Sequence, residues 1–283
     1  MVSMNGTGNI PILMYHSISI SGNAKFKQFT VAPERFAQQM AYLHAHAYTP
    51  MTVSQLIQAR TQPTLMPTKP IVLTFDDGFA DFFTAALPVL QRYQFGATLY
   101  IATAYINATS RWLRHDGEGH RPLLTWEQVR AVQRAGIECG GHTHTHPQLD
   151  VLSRAAAAEE ITRCKQLLEE QLEQAVLSFA YPYGYYTGLT QQLVQDAGYQ
   201  SACAVKHTMS TNTSNPFALT RLMVSANMQQ QHFEELLSGQ KKRSLATMYM
   251  RARTPLWQYA RLSYSALAKR RMALAVLSEG KTR

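Results

Sequence analysis

The sequence is poor in the features that hold very small proteins together or anchor chains in membranes. Its three cysteines, Cys139, Cys164 and Cys203, are an odd number at no metal-ligand spacing. That excludes a disulfide framework and fits a reducing compartment. Charged residues amount to only 16% against 46% hydrophobic ones, a balance that excludes wholesale disorder and implies a sizeable buried core. No apolar run approaches the ~20 residues of a membrane span; the longest, such as Ile10–Tyr15, are strand-sized. Residues 1–8 lack a basic n-region and a long apolar h-region, so no signal peptide is expected and a soluble, cytoplasmic protein is. The 283 residues suit one large α/β domain or two small ones.

Acidic residues are missing from one segment in particular. Residues 241–283 carry eleven Lys and Arg against the single acid Glu279, a net of +10, so the other 240 residues, with 16 basic and 17 acidic side chains, net −1. The overall charge of +9 therefore says nothing of nucleic acid for the body of the protein. Within the tail, basic residues alternate with Trp257, Tyr259, Leu262, Tyr264 and Leu267 at near-helical spacing. This pattern fits an interfacial helix on anionic lipid at the inner face of a membrane. Docking to a protein partner is the second reading, ahead of nucleic-acid contact or a plain solubilising tail. The chain accordingly divides at 228, with residues 229–283 as a basic amphipathic extension.

What the body does contain is alternation. Short β-branched runs (Ile10–Ser17, Pro70–Phe75, Ala97–Ala102, Gly136–Cys139, Val176–Tyr181, Tyr199–Val205 and Arg221–Val224) are separated by amphipathic stretches, the mark of a mostly parallel sheet. Pro33–Ala47 opens with a first-turn proline. Thr52 with Gln55, and Thr125 with Gln128, form capping-box patterns before Val53–Ala59 and Trp126–Ala135. Ser153 caps a helix running to about Gln174; Asp81–Gln94 and Leu189–Ala197 complete the set. This pattern fits a (β/α) barrel or an open doubly wound sheet equally well. Asn107–Leu124 lacks periodicity and reads as a long loop over a site.

Parallel α/β folds put their chemistry at the carboxyl ends of strands, and two such ends are heavily loaded. Asp76-Asp77-Gly78 follows Ile71-Val72-Leu73-Thr74-Phe75. Adjacent carboxylates need a cation or a proton to coexist, although a solvated turn with a helix cap at Asp81 is the plainer reading. His142-Thr143-His144-Thr145-His146-Pro147 places three imidazoles in five residues, a candidate metal site. If extended, residues 142, 144 and 146 share a face; if coiled, only 142 and 146 do. Two histidines and one carboxylate leave coordination positions open, as in a metal hydrolase, with the second aspartate free as a base.

TFDDG (74–78), HTHTHP (142–147) and FAYPYG (179–184), in this order and spacing, resemble the polysaccharide deacetylase family, also called the NodB-homology domain or carbohydrate esterase family 4. The opening Pro11-Ile-Leu-Met-Tyr-His-Ser-Ile is similar to the branch that deacetylates poly-N-acetylglucosamine-type exopolysaccharides. The resemblance covers about residues 8–226. It implies a distorted (β/α)7 barrel and metal-dependent N-deacetylation of an amino sugar. It assigns Asp76 as general base, and Asp77, His142 and His146 as ligands of one divalent ion, with zinc expected and cobalt, nickel or manganese as alternatives. His144 falls at an unassigned position. Tyr183 matches the residue whose N–H holds the oxyanion, in a turn fixed by Pro182 and Gly184, with Tyr181, Pro182 and Tyr183 against substrate.

Two departures from the family pattern need replacements. Many members carry an arginine where Ala180 stands, and Arg221 is the substitute expected to orient Asp76. The late Leu-x-His motif that supplies an acid is missing, so His16 at the end of the first strand takes that role, with His207 as runner-up. Trp112, Trp126 and the tyrosines near 181–186 are candidates for stacking on sugar faces. The rival readings are an amidase of the same fold acting on a small N-acyl or cyclic amide, and a catalytically silent carbohydrate-binding protein.

Overall fold

A computed structural model describes residues 9–205, 208–211 and 213–238. The basic segment 241–283 and His207 lie outside the described residues. In chain order the strands are β1 (Asn9–Ile10), β2 (Ile12–Tyr15), β3 (Thr49–Met51), β4 (Pro70–Phe75), β5 (Thr98–Ile101), β6 (Glu138–Gly141), β7 (Ser178–Ala180), β8 (Ser201–Val205), β9 (Ser210–Thr211) and β10 (Leu219–Met223). Seven of them pair in parallel around a closed ring, β2-β4-β5-β6-β7-β8-β10 and back to β2. The expected distorted (β/α)7 barrel is therefore what the chain forms, and the open sheet is not.

Period-2 alternation sorts each strand onto two faces. Leu13, Tyr15, Leu73, Phe75, Leu99 and Phe179 belong to a large cluster with side chains of the surrounding helices, while Ile12, Val72, Tyr100, Ala180, Cys203 and Leu219 form a second cluster. This second cluster fills the ring. Continuing its alternation toward the carboxyl ends reaches Met14 and His16 from β2, Asp76 from β4, His142 from β6, and Arg221 and Met223 from β10. The ring thus delivers its functional side chains by register alone.

The helices are α1 (Pro33–Ala45), α2 (Val53–Thr61), α3 (Leu87–Arg92), α4 (Trp126–Arg134), α5 (Arg154–Leu172), α6 (Gly188–Asp196) and α7 (Gln230–Ser238). Both expected capping boxes form, at Thr52 with Gln55 and at Thr125 with Gln128, and the Ser153 hydroxyl accepts from the Ala156 N–H. Helix α7 buries Phe233 and Leu237 in the main core, so residues 230–238 pack with the barrel beyond the boundary expected at 228.

Other differences have local causes. Asp81–Gln94 is not one helix: a π-type turn, Phe82–Ala86, precedes α3, because Pro88 lacks the N–H an α-helical ladder would need. Asp81 makes no side-chain cap; its carboxylate accepts from the Ser17 hydroxyl at 2.5 Å and the Ile18 N–H at 3.1 Å. Strand β6 starts two residues later than expected, because Gly136 closes α4 with its N–H on Gln133 O. The expected strand at Arg221 begins earlier, at Leu219. The short strand β3, which contains Pro50, carried no readable signal.

Gly140 shows why a glycine sits inside β6. A Cβ there would lie 2.6 Å from two ring carbons of Tyr100 and 2.8 Å from Ser178 Oγ, atoms held inside the ring. Gly140→Ala should therefore destabilise the protein by about 1–3 kcal/mol, the usual cost of overpacking a filled core. A lowered urea midpoint at unchanged slope checks this, and an unaltered midpoint would contradict it.

Candidate active site

The carboxyl ends of β2, β4, β6, β7, β8 and β10 open into a cavity of about 640 Å³. Its floor holds Asp76, Asp77, His142 and His146, each at most 6% exposed. The two carboxylates occupy consecutive residues yet find different partners. Asp76 accepts a bidentate pair from Arg221, Nη1 to Oδ1 at 2.6 Å and Nη2 to Oδ2 at 2.8 Å. Burial alone would raise the Asp76 pKa, but the Arg221 guanidinium outweighs it and holds the carboxyl below its ordinary range. Arg221, itself fully buried, also donates to Thr74 Oγ1 at 3.2 Å and Ala204 O at 3.3 Å. Arg221 thus reaches Asp76 in space from the middle of β10.

Asp77 turns away from Arg221 because its backbone has φ 77. Its Oδ1 lies 3.1 Å from His146 Nε2 and 3.5 Å from His142 Nε2. His142 Nδ1 sits 2.7 Å from the Ala180 carbonyl, which can only accept, so Nδ1 carries a proton and Nε2 is the ring nitrogen turned to Asp77. Burial opposes ionisation of Asp77, but the His146 charge and the bonds from both imidazoles hold its pKa far below the usual value. Burial lowers the pKa of His146, despite Asp77 beside it.

These three side chains fit a metal ion. Their donor atoms all lie within 4.8 Å of one another. Tetrahedral zinc with ligand bonds of ~2.0–2.1 Å would space its donors about 3.3 Å apart, between the two separations observed here. The hydrogen bond from His142 Nδ1 to a carbonyl is the outer-shell contact that orients a metal-binding imidazole. His144 is not among them: its Nδ1 is 2.9 Å from Thr103 Oγ1, outside the cavity floor.

Backbone strain concentrates on the same floor. Of the eight non-glycine residues with positive φ among the described residues, four are Asp77, Thr143, His146 and Tyr183. Such conformations cost ~1–3 kcal/mol each and persist where the surroundings enforce them. Here the Thr143 hydroxyl accepts from the His146 N–H at 3.0 Å, closing the coil that brings residues 142 and 146 to one side. Tyr183 (φ 60, ψ 2) stands in the turn Pro182–Gly184. Its successor must be glycine, because a Cβ on Gly184 would come within 2.6 Å of Val205 Cβ.

His16 lines the cavity beside Asp76, with its ring centroid 4.9 Å from that of Phe29. Burial pulls its pKa below 6.5, although Asp77 and Asp76 oppose this. The Trp112 ring lies 4.9 Å from that of His146, as does the Tyr183 ring. Three expected contacts are absent. Tyr181 is fully buried, its ring on Tyr186 and its hydroxyl donating to Phe217 O. Pro182 is buried beneath the turn, and Trp126 packs on the core from the start of α4. Tyr185 and Tyr186, among the tyrosines named as candidates, do line the cavity, whereas sequence reading missed Phe26, Phe29 and Leu113, which line it too; apolar residues in loops carry no periodic signal.

The Asp76–Arg221 pair yields a stability prediction. Arg221→Met leaves a buried carboxylate unpaired, which should cost about 3–5 kcal/mol in chemical denaturation. Because the folded pKa of Asp76 is depressed, the pair adds stability above the ordinary carboxylate range and loses it as pH falls through the folded value. The variant should lack that share of the acid-side loss; equal stability of the two proteins at neutral pH would refute the pairing.

Comparisons with known proteins agree with this geometry. A family model for polysaccharide deacetylase matches residues 65–202, a span that includes Asp76, Asp77, His142, His146 and Tyr183 but neither His16 nor Arg221. The structure resembles that of the Streptococcus pyogenes deacetylase PplD in complex with acetate, with TM-score 0.70 and 26% identity over 81% of this chain and 98% of that one. The poly-beta-1,6-N-acetyl-D-glucosamine N-deacetylase of Escherichia coli (strain K12) is 23% identical over 78% of this chain, which spans only 38% of that relative's length. The Bacillus subtilis (strain 168) protein YxkH is 30% identical over 82% of this chain and 77% of its own. Likeness of that extent, on a barrel whose carboxyl ends gather these side chains, means that the chain belongs to the polysaccharide deacetylase family.

Proposed function

We propose that the chain is a metal-dependent N-deacetylase of N-acetylglucosamine-type sugars in a polysaccharide, an oligosaccharide or a lipid-linked precursor. One observation carries the reading: two adjacent buried carboxylates are split between Arg221 and a pair of imidazoles at the floor of an aromatic-walled cavity. The poly-N-acetylglucosamine deacetylases among the relatives support the sugar class.

Asp77, His142 and His146 would hold one divalent ion. The donor set suits zinc, and cobalt, nickel or manganese use the same atoms. Bound there, such an ion supplies Lewis-acid polarisation of the amide carbonyl and a lowered pKa for water. Asp76, kept ionised and oriented by Arg221, takes a proton from the attacking water. The Tyr183 N–H donates to the oxyanion as the amide carbon becomes tetrahedral. His16 then protonates the nitrogen as the C–N bond breaks, so acetate and a free amine leave. The faces of Trp112 and Tyr183 offer flat apolar surface to the sugar.

Metal content of the purified protein should be about one divalent ion per chain and should fall close to zero in Asp77→Ala and His142→Ala. Unchanged occupancy in both variants would sink the ligand set. Acetate release from β-1,6-linked N-acetylglucosamine oligomers and from chitin oligomers tests the substrate. No release by the metal-loaded protein would leave the amidase or binding-only reading in its place.

Asp76→Asn should retain the ion and lose about 10²–10⁴-fold in turnover, the usual worth of general-base assistance. For His16 the sign runs the other way. An acid must be protonated to act, so the rate falls as pH rises through its pKa, which burial sets below 6.5. His16→Ala should remove that basic limb from the pH–rate profile. A variant with the wild-type rate and profile would take the acid role from His16.

A further inference from the structure

Two buried charged residues of the long loop have no part in the mechanism above. Glu118 and Arg121 are 4% and 7% exposed. Arg121 Nε donates to Glu118 Oε2 at 2.7 Å, and its guanidinium reaches across to the loop between β2 and α1. There Nη1 donates to Ser17 Oγ at 3.3 Å, Nη2 donates to Ser21 O, and Cζ stands 4.3 Å above the Phe26 ring. Glu118 completes the tie, since its Oε1 accepts from the Asn23 N–H at 2.5 Å. Ser17 in turn donates to Asp81 at the start of the π-type turn.

The tie reaches cavity residues on both sides. Ser17 follows His16. Phe26 lines the cavity itself, and Phe29, against which His16 packs, belongs to the same loop. On the other side the Glu118 N–H donates to the carbonyl of Leu113 at 3.1 Å, next to Trp112, whose ring stacks near His146. The two loops contribute no shared sheet, and residues 107–124 hold only the 3-10 turn Arg111–Asp116 and isolated bridges at Thr109–Pro122 and Phe79–Leu123. A buried ion pair adds little net stability over apolar side chains of the same volume. A guanidinium fork does fix direction, because its donors are rigid and planar.

We propose that Arg121 is a positioning residue for the reaction: its fork locks the 18–30 and 107–124 loops into one wall and thereby fixes His16 and Trp112 over the floor. This rests on the deacetylase reading for its kinetic consequences but not for the lock itself. Small displacements of positioned groups cost as much as 10²-fold in rate.

The test compares full-length wild-type, Arg121→Met, Arg121→Lys and Glu118→Gln proteins loaded with zinc. Hydrogen exchange by mass spectrometry reads the lock without any substrate. In Arg121→Met, exchange should rise at least about tenfold in residues 18–30 and 107–124 and stay unchanged in β4 and β6. Acetate release from β-1,6-linked N-acetylglucosamine oligomers reads the consequence. There kcat/KM should fall about 10²-fold with full metal content, the basic limb of the profile should move, and Arg121→Lys should recover part of the loss. Glu118→Gln keeps the shape and the acceptor oxygen, so it serves if Arg121→Met fails to fold; it should loosen the same two loops. Wild-type exchange in both loops of either folded variant would overturn the lock. Loosened loops with wild-type kcat, KM and pH profile would reduce it to a structural tie. A wild-type protein that releases no acetate overturns the substrate reading and leaves the exchange result standing.

Discussion

Two ionised carboxylates on consecutive buried residues repel each other and have both lost their water, so each requires its own positive partner. Asp76 and Asp77 meet this demand by facing opposite ways. The left-handed backbone at Asp77 lets one side chain follow the inward alternation of β4 to Arg221 while the next swings to His142 and His146. Had the strand simply continued, Asp77 would point out of the ring, away from both imidazoles. The strained residue is therefore the hinge on which the division between the Arg221 fork and the two imidazoles turns.

That division depends on register in three strands at once. Along β10, Leu219 lies in the interior cluster, Arg221 beneath Asp76, and Met223 at the cavity. Along β4, Val72, Thr74 and Asp76 face inward in turn, with Thr74 both donating to Leu13 O and accepting from Arg221. β2 closes the ring between them, pairing Leu13 with both Leu73 and Leu222. A slip of one residue in any of these would exchange a charged side chain with an apolar one. The buried arginine is thus an enforcer of pairing as well as a partner for Asp76.

How much of this was legible follows from the range of each signal. The floor is written in contiguous motifs, because a strand end and its turn are local: TFDDG, HTHTHP and the YPYG turn all fall where the alternation placed them. The helix caps at Thr52, Thr125 and Ser153 were legible for the same reason. Arg221 was readable only against the gap at Ala180, since a contact across 145 residues of sequence leaves no local trace. Tyr181 and Trp126 were misassigned because an aromatic residue near a motif looks alike whether it faces a cavity or a core. The walls at Phe26, Phe29 and Leu113 were not readable at all, since they stand in loops without period.

The same contrast separates what is costly to change from what is not. Each floor residue is bound into barrel register, backbone strain or ion pairing, so replacing any one disturbs several others. The wall residues sit on two loops joined to the barrel at few points, among them the Ser17–Thr30 and Phe79–Leu123 bridges and the contacts of Arg121. Their aromatic faces line the cavity without themselves being required for the ring to close. Chemistry is accordingly set by elements that cannot vary independently, whereas the shape presented to a sugar is set by elements that can. An ion pair with directional bonds reconciles the two demands, since it allows loop sequence to differ while holding the aromatic wall at a fixed place over the same floor.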